Sequence, residues 1–396
     1  MQFIPSVGAL APALLAGFIA AALLALVLTP GVRRFAKAFG LVDRPDPRRV
    51  NTSPVPRAGG LAVVGAFLPV AIVVVILVDR GDVAAVVMPG TVHPGELGAL
   101  LIGGLIAAAI GFLDDALQIR ARWQLMGQVA IALVAVGLGA EIEAVANPFG
   151  PGLILLGEGF SLIFSVLWIV GMINSINFID GLDGLSSGIA LIAAVTLGLI
   201  SLTTVLDQPF IAILCFVLAG SLLGFLRWNF HPASIFVGTS GVMFIGYTLA
   251  VLSILGTAKV AVALLVLGVP IIDTFWIIVR RLANRRSPFT PDRGHVHHRL
   301  LDLGLSHTQT VLLIYAITGV LAVMSFFLSG AGQLYAFIGV VVASGLILFV
   351  LTSREAVQED LEAETYETSR EGPAAPVTPP PTPAAGSATP PSDPPA

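Results

Sequence analysis

The stretch "NSINFIDGLDGL" sets Asn174, Asn177, Asp180 and Asp183 three residues apart, directly after the apolar run "SLIFSVLWIVGMI". Carboxylates and amides where an apolar segment ends are expensive unless they hold something. Their oxygens suit Mg²⁺, which keeps several waters and takes its remaining ligands from carboxylates and substrate phosphates. The two Asp-Gly steps also suit tight turns, and Asp183 is placed to cap a following helix. A capped turn and a ligand site are both open from these residues alone.

Three further clusters carry chemistry. "GFLDDALQIRARW" puts Asp114 and Asp115 at the end of an apolar segment. Acids there oppose the helix dipole and repel one another, so a cation or an accepted proton would relieve both. "RWNFHPASIFVGTSG" runs from Arg227 through Asn229 and Phe236 to Gly238, Thr239, Ser240 and Gly241. It opens a helix N-terminus, whose free N–H groups favour anions. "RRLANRRSPFTPDRGHVHHRLLDLG" holds Asp292, Arg293, His295, His297, His298 and Arg299. Without a cysteine, and without an i, i+4 histidine pair, it is a poor zinc site. It suits anionic lipid heads or a phosphorylated substrate, which arginine grips bidentately. A basic loop, "LVDRPDPRRVNTSPVPRAGGLA", completes a basin of acids and amides rimmed by arginine and histidine.

The elements that must position these groups are membrane helices. Of 396 residues, 56% are hydrophobic and only 11% charged, against roughly 25% charged in soluble domains. Mean hydropathy is +0.94. The first thirty residues lack a basic leader and are too long for a signal core, so they read as a spanning helix. Spans are expected near 7–30, 58–78, 97–114, 123–140, 159–176, 184–203, 210–227, 239–256, 260–281, 308–329 and 333–352. The expected fold is an all-α polytopic membrane protein of about eleven helices, with ten as the alternative count. With the N-terminus outside, 18 of the 20 Lys and Arg fall in one set of loops, leaving Arg80 and Lys259 opposite. The positive-inside rule then gives N-out and C-in, with every polar cluster on the cytoplasmic face. Residues 1–353 form the membrane domain. Residues 354–396 turn acidic and then proline-rich, and are expected to be a disordered cytoplasmic tail.

At these residues the chain resembles the polyprenyl-phosphate N-acetylhexosamine-1-phosphate transferases of the MraY/WecA type. "PVPRAGGLA", "GFLDD", "NSINFIDGLDGL", "NFHPASIFVG" and "PDRGHVHHRL" occur in that family's order over about residues 30–310. The resemblance implies a plasma-membrane enzyme that moves a HexNAc-1-phosphate, most simply GlcNAc-1-phosphate, from a UDP-N-acetylhexosamine to undecaprenyl phosphate. UMP would leave, and Mg²⁺, or Mn²⁺ in its place, would assist. It implies that Asp114 and Asp115 handle the lipid phosphate, one as base. Asn177, with Asp183 and Thr239, would lie at the metal. Asp180 would meet the sugar-phosphate, and Asp183, Asn229 and Phe236 the uridine. The loop with Asp292, Arg293, His295, His297, His298 and Arg299 would meet sugar and pyrophosphate. Membrane lipids are expected partners, nucleic acid is not, and a homodimer is one oligomeric option.

Three positions depart from the family pattern: Asn51 stands where His is common, Gln124 where Lys is common, and Thr239 where the loop carries an Asp ligand. They raise the alternative of a degenerate member that binds nucleotide-sugar or lipid phosphate without full turnover. An ion-coupled transporter is a weaker alternative, because its carboxylates should lie near the midplane.

Overall fold

The computed structural model describes residue 4 and residues 7–43, 54–81, 92–150, 152–203, 206–255, 260–283, 285, 295–328 and 330–346. Asn51, Asp292, Arg293 and the expected tail lie outside them. The chain divides into two units, Met1–Ala343 and Ser344–Ala396, and the first holds nearly all of the described residues. Its helices are α1 (Val7–Ala38), α2 (Gly60–Asp79), α3 (Pro94–Leu117), α4 (Ala121–Gly137), α5 (Glu158–Ile179), α6 (Leu185–Ser201) and α7 (Pro209–Asn229). They continue as α8 (Gly238–Ile254), α9 (Val260–Val266), α10 (Gly268–Ala283), α11 (Val296–Asp302), α12 (His307–Phe327) and α13 (Ala331–Leu346). Two small antiparallel ribbons join them, β1 (Val42–Asp43) with β2 (Val55–Pro56), and β3 (Ala144–Ala146) with β4 (Leu153–Leu155). The all-α expectation missed these ribbons because two or three residues carry too little pattern to read.

Among the described residues, six helices are long and apolar enough to cross a membrane, α1, α2, α3, α5, α7 and α12, and α9 with α10 make a seventh if the pair is one span. Helices α4, α6, α8 and α13 are apolar but of 17 residues or fewer. The chain is a helical, multi-pass membrane protein. Its outer surface agrees with lipid as solvent: Leu15, Ile19, Leu23 and Val27 form an exposed stripe at helical spacing along α1. A water-exposed protein seldom leaves so continuous an apolar face bare.

At the centre stands α7, with 78% of its apolar window buried against 28% for α1. It packs on α1 through Gly220 and Gly224, where an added Cβ would meet the carbonyl oxygens of Phe18 and Ala22 at 2.1 Å. Small residues four apart let backbones touch, which matters in lipid because apolar side chains gain nothing by leaving it.

The segment expected as one helix over 260–281 is broken. α9 and α10 meet at an angle of 78° across Leu267. Pro270 is the reason: it has no N–H for the Val266 carbonyl and its ring clashes with that carbonyl. The bend carries Asp273 into the interior, fully buried.

Candidate functional site

The polar clusters of the sequence converge on one cavity of about 440 Å³. Its walls come from the last turns of α3, α5 and α7, the loops 180–183 and 231–237, the first turn of α8, the β1–β2 ribbon, and the starts of α11 and α12. Asp115, Asn177, Asp180, Asp183, Asn229, Phe236, Thr239 and His298 line it, as the sequence led one to expect. Arg57, Asp43, His231 and His307 line it as well.

The two adjacent aspartates of α3 do different things. Asp115 accepts from the backbone N–H of Thr239 and of Ser240, both at 2.9 Å, one on each carboxylate oxygen. It therefore caps the first turn of α8 from another helix, where a negative charge meets the positive end of the dipole. Close approach makes this possible: a Cβ on Gly111, one turn before Asp115, would sit 2.4 Å from the Thr239 carbonyl oxygen. Asp114 accepts from Ile119 N–H at 2.8 Å and from the Gln124 amide at 2.6 Å on one oxygen, and from the Thr239 hydroxyl at 2.7 Å on the other. Two of the departures noted above, Gln124 and Thr239, thus grip the same carboxylate from opposite sides. Asp114 is not among the residues lining the cavity.

The loop after α5 is held from three directions. Asp180 accepts from the Ser186 hydroxyl at 2.5 Å. Burial pushes its carboxyl up to about 7, the Ser186 bond lowers it, and the charges of Asp115 and Asp183 add to the rise. Asp183 accepts from Ala233 N–H at 3.0 Å and lies 2.7 Å from His231 Nδ1, while its own N–H donates to His307 Nε2 at 2.9 Å. Asn229 accepts from Ser187 and donates to the Ile235 carbonyl, fixing the 231–237 loop against α6. Phe236 donates its N–H to the Pro56 carbonyl and accepts from Gly59, tying that loop to β2. Asn174 belongs elsewhere: its amide donates to Gln128 on α4 and to the Val170 carbonyl.

Asp183, His231 and His307 present ligand atoms within 4.8 Å of one another, but they do not make a good cation site. The His231 and His307 rings stack with centroids 4.1 Å apart and 21° between planes. Their in-plane lone pairs run side by side and do not converge on one ion, and that of His307 Nε2 already takes the Asp183 N–H. The trio is a clamp on Asp183. His307 starts α12 behind a capping box of Ser306 and Gln309.

A better donor set for a hard cation remains. Asp180 has one oxygen outside its Ser186 bond, Asp183 has another, and Asn177 and the Thr239 hydroxyl add neutral oxygens on the same wall. Donation to Asp114 leaves the Thr239 hydroxyl its lone pairs. Oxygen ligands of mixed charge fit Mg²⁺ or Mn²⁺ better than a softer metal.

Beside this cavity sits a histidine cluster. His295, His297 and His298 lie together, His295 and His297 stacked at 5.3 Å and His297 and His298 at 4.4 Å. His295 Nδ1 is 2.7 Å from Asp273, which also accepts from Val296 N–H at 2.9 Å. His297 is 1% exposed, and neither ring nitrogen has a partner among the described residues. Burial drives its pKa well below the usual value, helped by the nearby His298, His295 and His307. His298 reaches the cavity; Arg299 is buried.

Sequence reading missed Arg57, His231, His307 and Asp273 as site residues. Arg57 and His231 stood inside motifs already quoted, and Asp273 was visible as a lone carboxylate in "GVPIIDTFWII". His307 had no signal, since its partner Asp183 is 124 residues away.

Several proteins are similar to this chain along most of their length. A probable undecaprenyl-phosphate N-acetylglucosaminyl 1-phosphate transferase of Bacillus subtilis is 36% identical over 79% of this chain and 84% of its own. A decaprenyl-phosphate N-acetylglucosaminephosphotransferase of Mycobacterium tuberculosis is 33% identical over 83% of this chain and 87% of its own. An undecaprenyl-phosphate alpha-N-acetylglucosaminyl 1-phosphate transferase of Escherichia coli is 28% identical over 73% of this chain and 77% of its own. The family model for glycosyl transferase family 4 matches residues 97–257, the stretch from α3 to the end of α8 that supplies most of the cavity wall. With that match and relatives of this identity and extent, the chain belongs to glycosyl transferase family 4.

Proposed function

We propose that this protein transfers N-acetylglucosamine 1-phosphate from its UDP-sugar to undecaprenyl phosphate, releasing UMP, as the first membrane step of a cell-envelope glycan. The observation that carries this is the cavity itself: carboxylates, an arginine and histidines gathered at one end of a lipid-facing helical bundle. The names of the relatives point to the same substrates. An oxygen of the lipid phosphate attacks the β-phosphorus, and the bond from that phosphorus to the UMP oxygen breaks. A phosphate monoester has its second pKa near 6, so the nucleophile is mostly deprotonated at neutral pH and little base catalysis is needed.

The protein's work is then positioning and charge. Asp115 holds the first turn of α8 at the cavity wall. Arg57, beside it, is the group to meet a phosphoryl oxygen. Asp183, Asn229 and Phe236 receive the uridine, and His298, with the cluster behind it, the sugar and pyrophosphate. Asn177, Asp180, Asp183 and Thr239 would hold Mg²⁺ or Mn²⁺, which when bound neutralises pyrophosphate charge. The basic-loop count supports N-out and C-in, which eleven crossings satisfy and ten do not, and a cytoplasmic cavity.

The test is purified protein with undecaprenyl phosphate, UDP-N-acetylglucosamine or other UDP-sugars, and Mg²⁺ or Mn²⁺, with UMP measured. UMP release that depends on both substrates supports the reading. Thr239, lacking the charge of a carboxylate, favours one other reading: a chain that binds these ligands without turnover. Donor binding with no UMP under any of these conditions would establish that reading instead.

A further inference from the structure

Asp273 is a carboxylate in an apolar helix, fully buried, and nothing in the transfer proposed above uses it. Isolated charge at that place costs several kcal/mol and persists only where it is paired. It spends both oxygens on one short stretch, His295 Nδ1 at 2.7 Å and Val296 N–H at 2.9 Å. His295 precedes the first residue of α11, and its own side chain does not cap that helix. Asp273, reaching over from α10, therefore fixes where α11 begins.

The consequence runs through a stack. His295 packs face to face on His297, with 14° between the rings. His297 lies against Gly181, where an added Cβ would fall 2.2 Å from its Nε2. Gly181 sits between Asp180 and Asp183 in the loop that lines the cavity. With Asp273 accepting from Nδ1–H, the His295 ring is held in one orientation. Neither His295 nor His297 lines the cavity, so Asp273 touches no ligand there. The bend at Pro270 makes the reach possible, because it turns α10 inward.

We propose that Asp273 is a positioning residue: through His295 and Val296 it seats the histidine cluster against the Gly181 loop and so sets donor binding at the cavity. The effect on donor binding rests on the transferase reading above; the effect on histidine placement does not.

The experiment compares wild type with Asp273→Asn, which can still accept from Val296 N–H but not from His295 Nδ1–H. Labelling with diethyl pyrocarbonate, read peptide by peptide, should find His297 protected in wild type and reactive in the variant. KM for UDP-N-acetylglucosamine should rise about tenfold, with KM for undecaprenyl phosphate unchanged. His295→Phe keeps a ring for the stack but no donor and should behave alike. The double variant should be no worse than either single, because both remove one interaction. Should Asp273→Asn fail to fold, His295→Phe alone carries the same expectation. A protected His297 in the folded variants, or equal rises in both KM values, would overturn the proposal. If wild type transfers no sugar phosphate yet His297 still becomes reactive, the positioning role stands and the transferase reading falls.

Discussion

The aspartate pair of α3 and the histidine cluster of α11 each reach the same cavity through one member, Asp115 and His298, but stand in opposite states. Around Asp114 and Asp115 both oxygens of each carboxylate are occupied, by Ile119, Gln124 and Thr239 for the first and by Thr239 and Ser240 for the second. Around His297 neither ring nitrogen has a partner among the described residues, although the residue is 1% exposed. Buried polar groups left bare cost free energy. The aspartate side is therefore a fully bonded piece of architecture, and the histidine side is one that holds the Gly181 loop by packing. Residues of the first kind should fail through folding, and those of the second through binding.

Asp115→Ala should give the largest effect. It strips one buried and one half-buried backbone N–H of their acceptor, at up to about 1–3 kcal/mol each, and frees the first turn of α8. Thermal unfolding in detergent should move down by several degrees, and UMP release should fall at least a hundredfold. An unchanged melting temperature would remove the distinction drawn here.

His297→Leu should do the reverse. A side chain of similar bulk without polar atoms removes the bare nitrogens, so stability should hold or rise. Donor affinity, measured by calorimetry with UDP-N-acetylglucosamine, should drop about tenfold, near 1.4 kcal/mol. A loss of stability with affinity intact would mean the cluster is core, not site.

Thr239→Asp brings the comparison to a single atom. The Thr hydroxyl donates to Asp114 at 2.7 Å; a carboxylate there would face another within hydrogen-bond range. Without a divalent ion the variant should lose about 1–2 kcal/mol of stability from this repulsion. Added Mg²⁺ should restore it and bind more tightly than to wild type. A melting temperature of the variant that ignores Mg²⁺ would show that position 239 is not a cation position.

The smallest effect concerns pH. Burial lowers the His297 pKa, with His295, His298 and His307 adding to it. The unfolded chain then takes a proton near pH 6.5 that the folded chain refuses, so this contribution is complete above 6.5 and shrinks as pH falls below it, by up to about 1.4 kcal/mol per unit. Melting temperatures of wild type and His297→Leu should diverge in favour of the variant between pH 6.5 and 5.5. Parallel curves would place a ring nitrogen of His297 on a partner that stays bound.

Much of this protein is legible along the chain because the information is local. Apolar runs locate where helices lie, and among the described residues six of these helices, or seven with the bent pair as one, are long and apolar enough to cross a membrane, since burying about twenty residues in lipid needs no partner to be specified. The break before Pro270 is not legible, because the apolar run over 260–281 continues through it unchanged. The motif residues Asp115, Asn177, Asp180, Asp183, Asn229, Phe236 and His298 meet at the cavity because each lies beside a helix end on the same side of the bundle. What tertiary structure alone decides is what each polar group is bonded to. Asp114 meets Thr239 across 125 residues, and Asp183 meets His307 across 124. Neither spacing leaves a periodicity to read. Two neighbouring aspartates, identical in sequence terms, part company because the close approach at Gly111 puts one at the N-terminus of α8 and the other beneath it. Hydrophobic pattern fixes which segments enter the membrane, but a hydrogen bond is a matter of a few tenths of an ångström, and only packing sets distances that finely.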